Sequence, residues 1–88
     1  MAMRKSITLE KRGIQGQEIA DWFLDRADGK REGKRITGPG WMVEFLEERQ
    51  EILGPMHFPV VVFRIEAEHD LFPDLLHRFR LYFLRGGA

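Results

Sequence analysis

Residues 71–85 constrain the fold more than any other stretch. They read Leu-Phe-Pro-Asp-Leu-Leu-His-Arg-Phe-Arg-Leu-Tyr-Phe-Leu-Arg. At about 100° per residue, Leu71, Phe72, Leu75, Leu76, Phe79, Tyr82 and Phe83 share one helical face, with Asp74, His77, Arg78, Arg80 and Arg85 on the other. An apolar stripe of this width needs a second layer to lie on. The spacing therefore predicts a helix over 71–85, opened by Asp70 as its cap, with Pro73 accommodated in the first turn. Gly86 then serves as the stop, in a positive-φ conformation, and Arg85 faces the negative end of the helix.

The rest of the chain supplies that layer. Pro59–Glu68 is the strongest strand, with Val61, Phe63, Ile65 and Ala67 on one side and Val60, Val62, Arg64 and Glu66 on the other. Its first half is apolar on both faces, as in a strand central to a sheet. Residues 4–11 alternate Ile7 and Leu9 with polar neighbours, a half-buried strand ended by Arg12-Gly13. Trp41–Glu48 reads as a strand whose Trp41, Val43 and Phe45 oppose Met42, Glu44 and Leu46. A helix through Gln50 competes for the same residues, because Glu-Glu-Arg-Gln-Glu is helix-friendly. Glu51–Leu53 fits a further short strand before a Gly54-Pro55 turn.

A second helix fits residues 15–28. Ile14 and Ile19 have staple spacing around Gln15; Ile19, Trp22, Phe23 and Ala27 form its apolar face, and Asp28-Gly29 its end. Lys30–Gly40 carries glycines and a proline and reads as a loop, with a short strand at Arg35–Thr37. Strand, helix, several strands, helix in that order predict one α+β domain over residues 1–88. Its architecture is an antiparallel sheet of three to five strands with both helices on one face.

Composition excludes several function classes. The 88 residues contain no cysteine, so disulfide frameworks, thiolate metal sites and cysteine catalysis are absent. Ser6 is the lone serine and has no nucleophile-elbow context. The apolar runs are too short for a membrane span, the N-terminus lacks a signal core, and a cytoplasmic location is expected. Lys plus Arg equals Asp plus Glu, at 14 each, so no global field draws nucleic acid. An Arg-rich, Cys-free composition suits a heat-adapted source. His57, His69 and His77 have no metal-ligand spacing, and Glu44, Glu47, Glu48 and Glu51 match no calcium loop. No catalytic residue, metal or cofactor is implied.

Two surfaces remain as candidates. Lys30, Arg31, Lys34 and Arg35 lie among glycines, either as a solvated loop or as a site for an anion or nucleic acid. Met42, Leu46, Val60 and Val62 share the sheet face away from the helices, and Leu81 and Leu84 the outward side of the last helix. Apolar residues there mark an interface, with a homodimer through the sheet face as the expected partnership, or are scattered surface apolars.

The pattern Ile7/Leu9, Ile19/Trp22/Phe23, Val61/Phe63/Ile65, Leu75/Phe79/Phe83 resembles the small TBP-like domains. It is similar in particular to the domain that follows the ubiquitin-like part in molybdopterin-synthase small-subunit-related proteins of thermophilic bacteria. The resemblance implies a stand-alone copy of that domain and carries no functional residue with it. Leu84-Arg85-Gly86-Gly87 also resembles the end of a ubiquitin-like carrier. A carrier or accessory role in sulfur transfer or molybdopterin assembly is therefore the alternative to a self-associating, non-enzymatic binding module. Against the carrier stand the predicted helix and Ala88, which follows the glycines.

Overall fold

A computed structural model describes residues 3–87. The elements are β1 (Arg4–Arg12), α1 (Gly16–Arg26), β2 (Lys30–Glu32), β3 (Arg35–Gly38), β4 (Trp41–Leu53), β5 (Met56–Glu68) and α2 (Phe72–Gly87). The five strands form one sheet in the order β1-β5-β4-β3-β2, every neighbour antiparallel. From β1 at one edge, α1 carries the chain across a single face to β2 at the other. β2 to β5 then meander back until β5 pairs with β1. Both helices pack on the same face, as the alternation of the strands predicts.

Each helix is placed by its apolar stripe. Ile19, Ala20, Trp22 and Phe23 of α1 and Leu75, Phe79 and Phe83 of α2 are buried against Ile36, Trp41, Val43, Phe45, Val61, Phe63, Ile65 and Ala67 of the sheet. Phe79 is the centre of this aromatic layer. Its ring centroid lies 5.4 Å from Trp22, 5.6 Å from Phe23, 5.6 Å from Phe63 and 4.7 Å from Phe83. Contacts at these separations add to the area that each ring removes from water.

The start of α1 follows the expected staple, with Ile19 buried and Ile14 packed on the core. The Gln15 N–H donates to Glu18 Oε2 at 3.0 Å, which satisfies a backbone donor at the helix entrance. At its end the positive φ (59°) falls on Asp28, and the Gly29 N–H reaches back to the Phe23 carbonyl at 2.9 Å.

Several expectations are corrected. The short strand expected at Arg35–Thr37 is present as β3, but the rest of Lys30–Gly40 is not simply a loop: Lys30–Glu32 forms β2, and the two strands make a hairpin whose two-residue turn opens with Gly33 at φ 63°. Trp41–Leu53 is one continuous strand with no helix, and Glu51–Leu53 is its end. Together with β5, which starts three residues earlier than read, it makes a hairpin of two 13-residue strands closed by Gly54-Pro55. Gly54 supplies the positive φ (60°) that such a tight turn demands. Asp70 does not cap α2. The first helical residue is Phe72, and the Asp70 carboxylate instead lies 3.1 Å from His69 Nδ1 in a hydrogen bond. Gly86 does not stop α2 either, since the helix runs to Gly87; glycine permits a left-handed stop without imposing one. The expected roles of the Arg85 side chain and of Ala88 lie outside the described residues.

The regular alternation read for β4 breaks at Leu46. A β-bulge falls between Phe45, which faces Phe63, and Glu47, which faces Val62. The extra residue reverses the side on which every later side chain emerges. Without it Glu47, Arg49 and Glu51 would point to the helical face. With it they join the open face, and Glu48 falls on the helical side. There the Glu48 carboxylate fills the space left by the missing side chain of Gly16, at the positive end of α1.

Replacing Phe79 with Ala is expected to lower the unfolding free energy by about 3–5 kcal/mol, a large share of what a domain this size has. Leu84→Ala, at an exposed position five residues on, should change it by no more than about 0.5 kcal/mol. Urea unfolding followed by tryptophan fluorescence separates the two.

Candidate functional site

The outward side of the helical layer carries a patch of mixed chemistry. Leu81 and Leu84 are 50% and 68% exposed, and Tyr82 beside them is also exposed. Cations surround them. The Arg26 guanidinium lies 4.8 Å from the Tyr82 ring centroid and that of Arg78 5.8 Å from the Trp22 ring. Arg78 Nη2 also donates to the Arg26 carbonyl at 3.0 Å, tying the last turn of α1 to α2. The stacking and the hydrogen bond hold both guanidinium groups in place while leaving donors free for an anionic partner.

A shallow depression of about 510 Å³ runs between the helices, lined by Trp22, Arg26, Arg78, Leu81 and Tyr82. On the far flank of α2 a second, of about 420 Å³, is lined by Lys11, Ile14, His77, Arg80, Leu81, Phe83 and Leu84. Leu81 belongs to both, so the two hollows are one surface: an apolar ridge with Arg26, Arg78, Arg80 and Lys11 around it. Such a surface suits a protein segment with apolar anchors and acidic neighbours.

The open sheet face is built differently. Met42 and Val62 are half-buried, and Leu46 is exposed at the bulge. Val60 is 1% exposed. It stands between Arg12 and Arg49, its cross-strand neighbours on β1 and β4, side chains whose aliphatic stems are long enough to shield it while their charged ends reach water. Their guanidinium groups join a ladder of carboxylates. Arg12 meets Glu10 at 3.1 Å and Glu51 at 2.8 Å. Arg49 meets Glu51 at 3.1 Å, Glu10 at 3.4 Å, and also Glu47. The hydrogen bonds to Glu47 and then Glu51 raise the pKa of Arg49 above the ordinary guanidinium range. Further along, Glu44 lies between Arg64 at 3.1 Å and Arg35 at 3.5 Å, and Arg4 meets Glu66 at 3.3 Å. The apolar side chains proposed as an interface are thus interleaved with ion pairs, and Val60 contributes to the fold.

The four basic residues of the β2–β3 hairpin are spread around it. Lys30 and Arg35 take the open face through their pairing with Thr37 and Glu44, and Arg35 is engaged with Glu44. Arg31 shares the face of buried Ile36, with its guanidinium 5.7 Å from the Phe45 ring centroid. Lys34 sits in the turn, where its carbonyl accepts the Phe45 N–H at 2.8 Å. Among the described residues, no three His, Asp or Glu side chains converge to hold a metal ion. No helix there is long and apolar enough to cross a membrane.

Sequence reasoning located Leu81 and Leu84 but missed Trp22, Arg26 and Arg78 as their companions. Arg26 and Arg78 lie 52 residues apart, and no spacing rule connects them. The available signal was weaker: Arg78 one turn from Leu81 and Tyr82 on the same helix.

The family model described as Archaeal MoaD-like protein matches residues 7–88. The chain belongs to that family. The match takes in every element of this archaeal MoaD-like fold, from the middle of β1 through α2. It agrees with the molybdopterin-synthase small-subunit relationship read from the sequence at the level of MoaD-like, and extends neither to the TBP-like description nor to a thermophilic bacterial source. No curated protein matches the chain.

The two buried-valine environments give a test of the open face. In this MoaD-like chain Val60→Thr should cost about 1–3 kcal/mol, because the hydroxyl is buried there without a provided partner. Val62→Thr, at a half-buried site, should cost less than half as much. Chemical unfolding of both variants checks the contrast.

Proposed function

We propose that this chain is an accessory binding module of a sulfur-transfer or molybdopterin-assembly system, and that it engages a protein of that system through the α2 ridge. Membership of the archaeal MoaD-like family over residues 7–88 supports the pathway. The burial of Phe79 and Phe83 in α2 supports the accessory role over the carrier role. A carrier has to thread an extended terminal segment into an activating enzyme. Here the residues leading to Gly86-Gly87 are helical, and releasing them would pull two phenyl rings from the core, each removal costing about 3–5 kcal/mol by analogy with its truncation.

The ridge supports a protein partner better than a small molecule. Its hollows are shallow and open, whereas small-molecule sites enclose most of their ligand. The combination of exposed Leu81, Leu84 and Tyr82 with anchored Arg26 and Arg78 has the composition of an interface centre, where aromatic and Arg side chains concentrate.

Two measurements test this. The intact mass of the protein isolated from its native cell is expected to match an unprocessed chain; removal of Ala88 with a thiocarboxylate on Gly87 would return the carrier reading. A photo-cross-linking residue at position 84 should capture a component of sulfur transfer in those cells. Arg78→Glu should cut the yield about tenfold, equivalent to about 1.4 kcal/mol. Capture that is unchanged by Arg78→Glu would reject the ridge as the docking surface.

A further inference from the structure

Among the described residues, nothing pairs with the outer edge of β4 from Glu47 to Leu53. β3 covers β4 only from Trp41 to Glu44, and the last contact on that side is the Phe45 N–H to the Lys34 carbonyl. Beyond the bulge, β4 has β5 on one side alone. The residues at this edge, Glu47, Glu48, Gln50, Ile52 and Leu53, are exposed, and Ile52 and Leu53 reach 67% and 70%. A row of free backbone donors and acceptors beside exposed apolar side chains is a template for another strand.

The occupant follows from the order of charges. We propose that β4 pairs with β4 of a second copy of this chain, antiparallel about a two-fold axis through Gln50, joining two sheets into one. In that register Arg49 faces Glu51 of the other copy, and Glu51 faces its Arg49. Glu48 faces Ile52, and Glu47 faces Leu53. Opposite charges directly across strands stabilise a pair and like charges destabilise it. Moving the axis to Glu48, Arg49 or Glu51 sets that charge against its own copy. Gln50 is the one position in 47–51 that puts a neutral residue on the axis.

Two features of the fold select the same register. The residues that point toward β3 before the bulge are those on the helical face, as the Phe45 N–H shows. After the bulge the helical-face residues are Glu48, Gln50 and Ile52, so their N–H and C=O groups point outward. The pairs Glu48–Ile52 and Gln50–Gln50 across the axis are then the hydrogen-bonded ones. The partner's Gly54-Pro55 turn also limits sliding, because an axis nearer the bulge would drive it into the Gly33-Lys34 turn at the head of β3. With the axis at Gln50, the free segments 47–53 cover each other end to end. The other long edge lacks this match: β1 paired end to end with itself sets Lys5 against Lys11 and Arg4 against Arg12.

This edge is distinct from the α2 ridge, so the pairing stands or falls apart from the proposed function. The test uses the position on the axis. Sedimentation equilibrium of the wild-type chain is expected to give twice the 10.4 kDa chain mass. Gln50→Glu and Gln50→Lys each place like charges across the axis and should each raise the dissociation constant about fivefold, roughly 1 kcal/mol. An equimolar mixture of the two should regain wild-type affinity or better, since only a residue facing itself is repaired in this way. Circular dichroism should leave both variants unchanged, because position 50 is exposed. A monomeric wild type, a dimer indifferent to both substitutions, or a mixture no tighter than its components would overturn the pairing.

Discussion

The structure depends on the burial of Phe79. This one ring joins both helices to the sheet: it touches Trp22 and Phe23 of α1, Phe63 of β5 and Phe83 one turn along α2. A small domain has little surplus stability and must draw it from few large side chains. Seven Phe and two Trp in 88 residues make that possible without disulfides. The same burial makes α2 an integral layer and sets what its outward side can present.

The sheet's two faces solve different problems. On the helical side the apolar residues are dry and close-packed. Among the described residues the opposite side has no second layer, and the chain covers it with Arg and Glu from four adjacent strands, β1, β5, β4 and β3. Individual exposed ion pairs contribute about 0–1 kcal/mol, so the ladder is not what holds the fold together. Its effect is local: the arginine stems are long enough to shield Val60, and the alternating charges discourage indiscriminate contact along a long sheet. The bulge at Leu46 makes this arrangement possible by turning Glu47, Arg49 and Glu51 outward.

Most of the fold was legible. The 3.6-residue stripe of α2, the staple at Ile14 and Ile19 and the period-2 alternation of β1 and β5 each reflect local geometry that side chains report directly. Three things were not. The β2–β3 hairpin is stabilised by its neighbour β4, so only its second strand, at Arg35–Thr37, was legible and the short, polar β2 gave no sign of itself. The bulge leaves no mark in composition, because it is a property of the pairing between β4 and β5. The helix boundary at Gly87 differs from the glycine rule because the rule describes a tolerance. At the candidate site, Leu81 and Leu84 were visible as misfits on a polar face, while Arg26 and Trp22 came from an element far away in sequence.

The sequence alone determined that one helical stripe had to lie on a sheet, and with it the α+β class, because periodicity of apolar residues is a local consequence of backbone geometry. Tertiary structure alone decided which charges share a face, that Val60 is interior, and that Arg26 and Arg78 meet across two helices. Those outcomes depend on strand register and helix docking, which are fixed by contacts between residues distant along the chain.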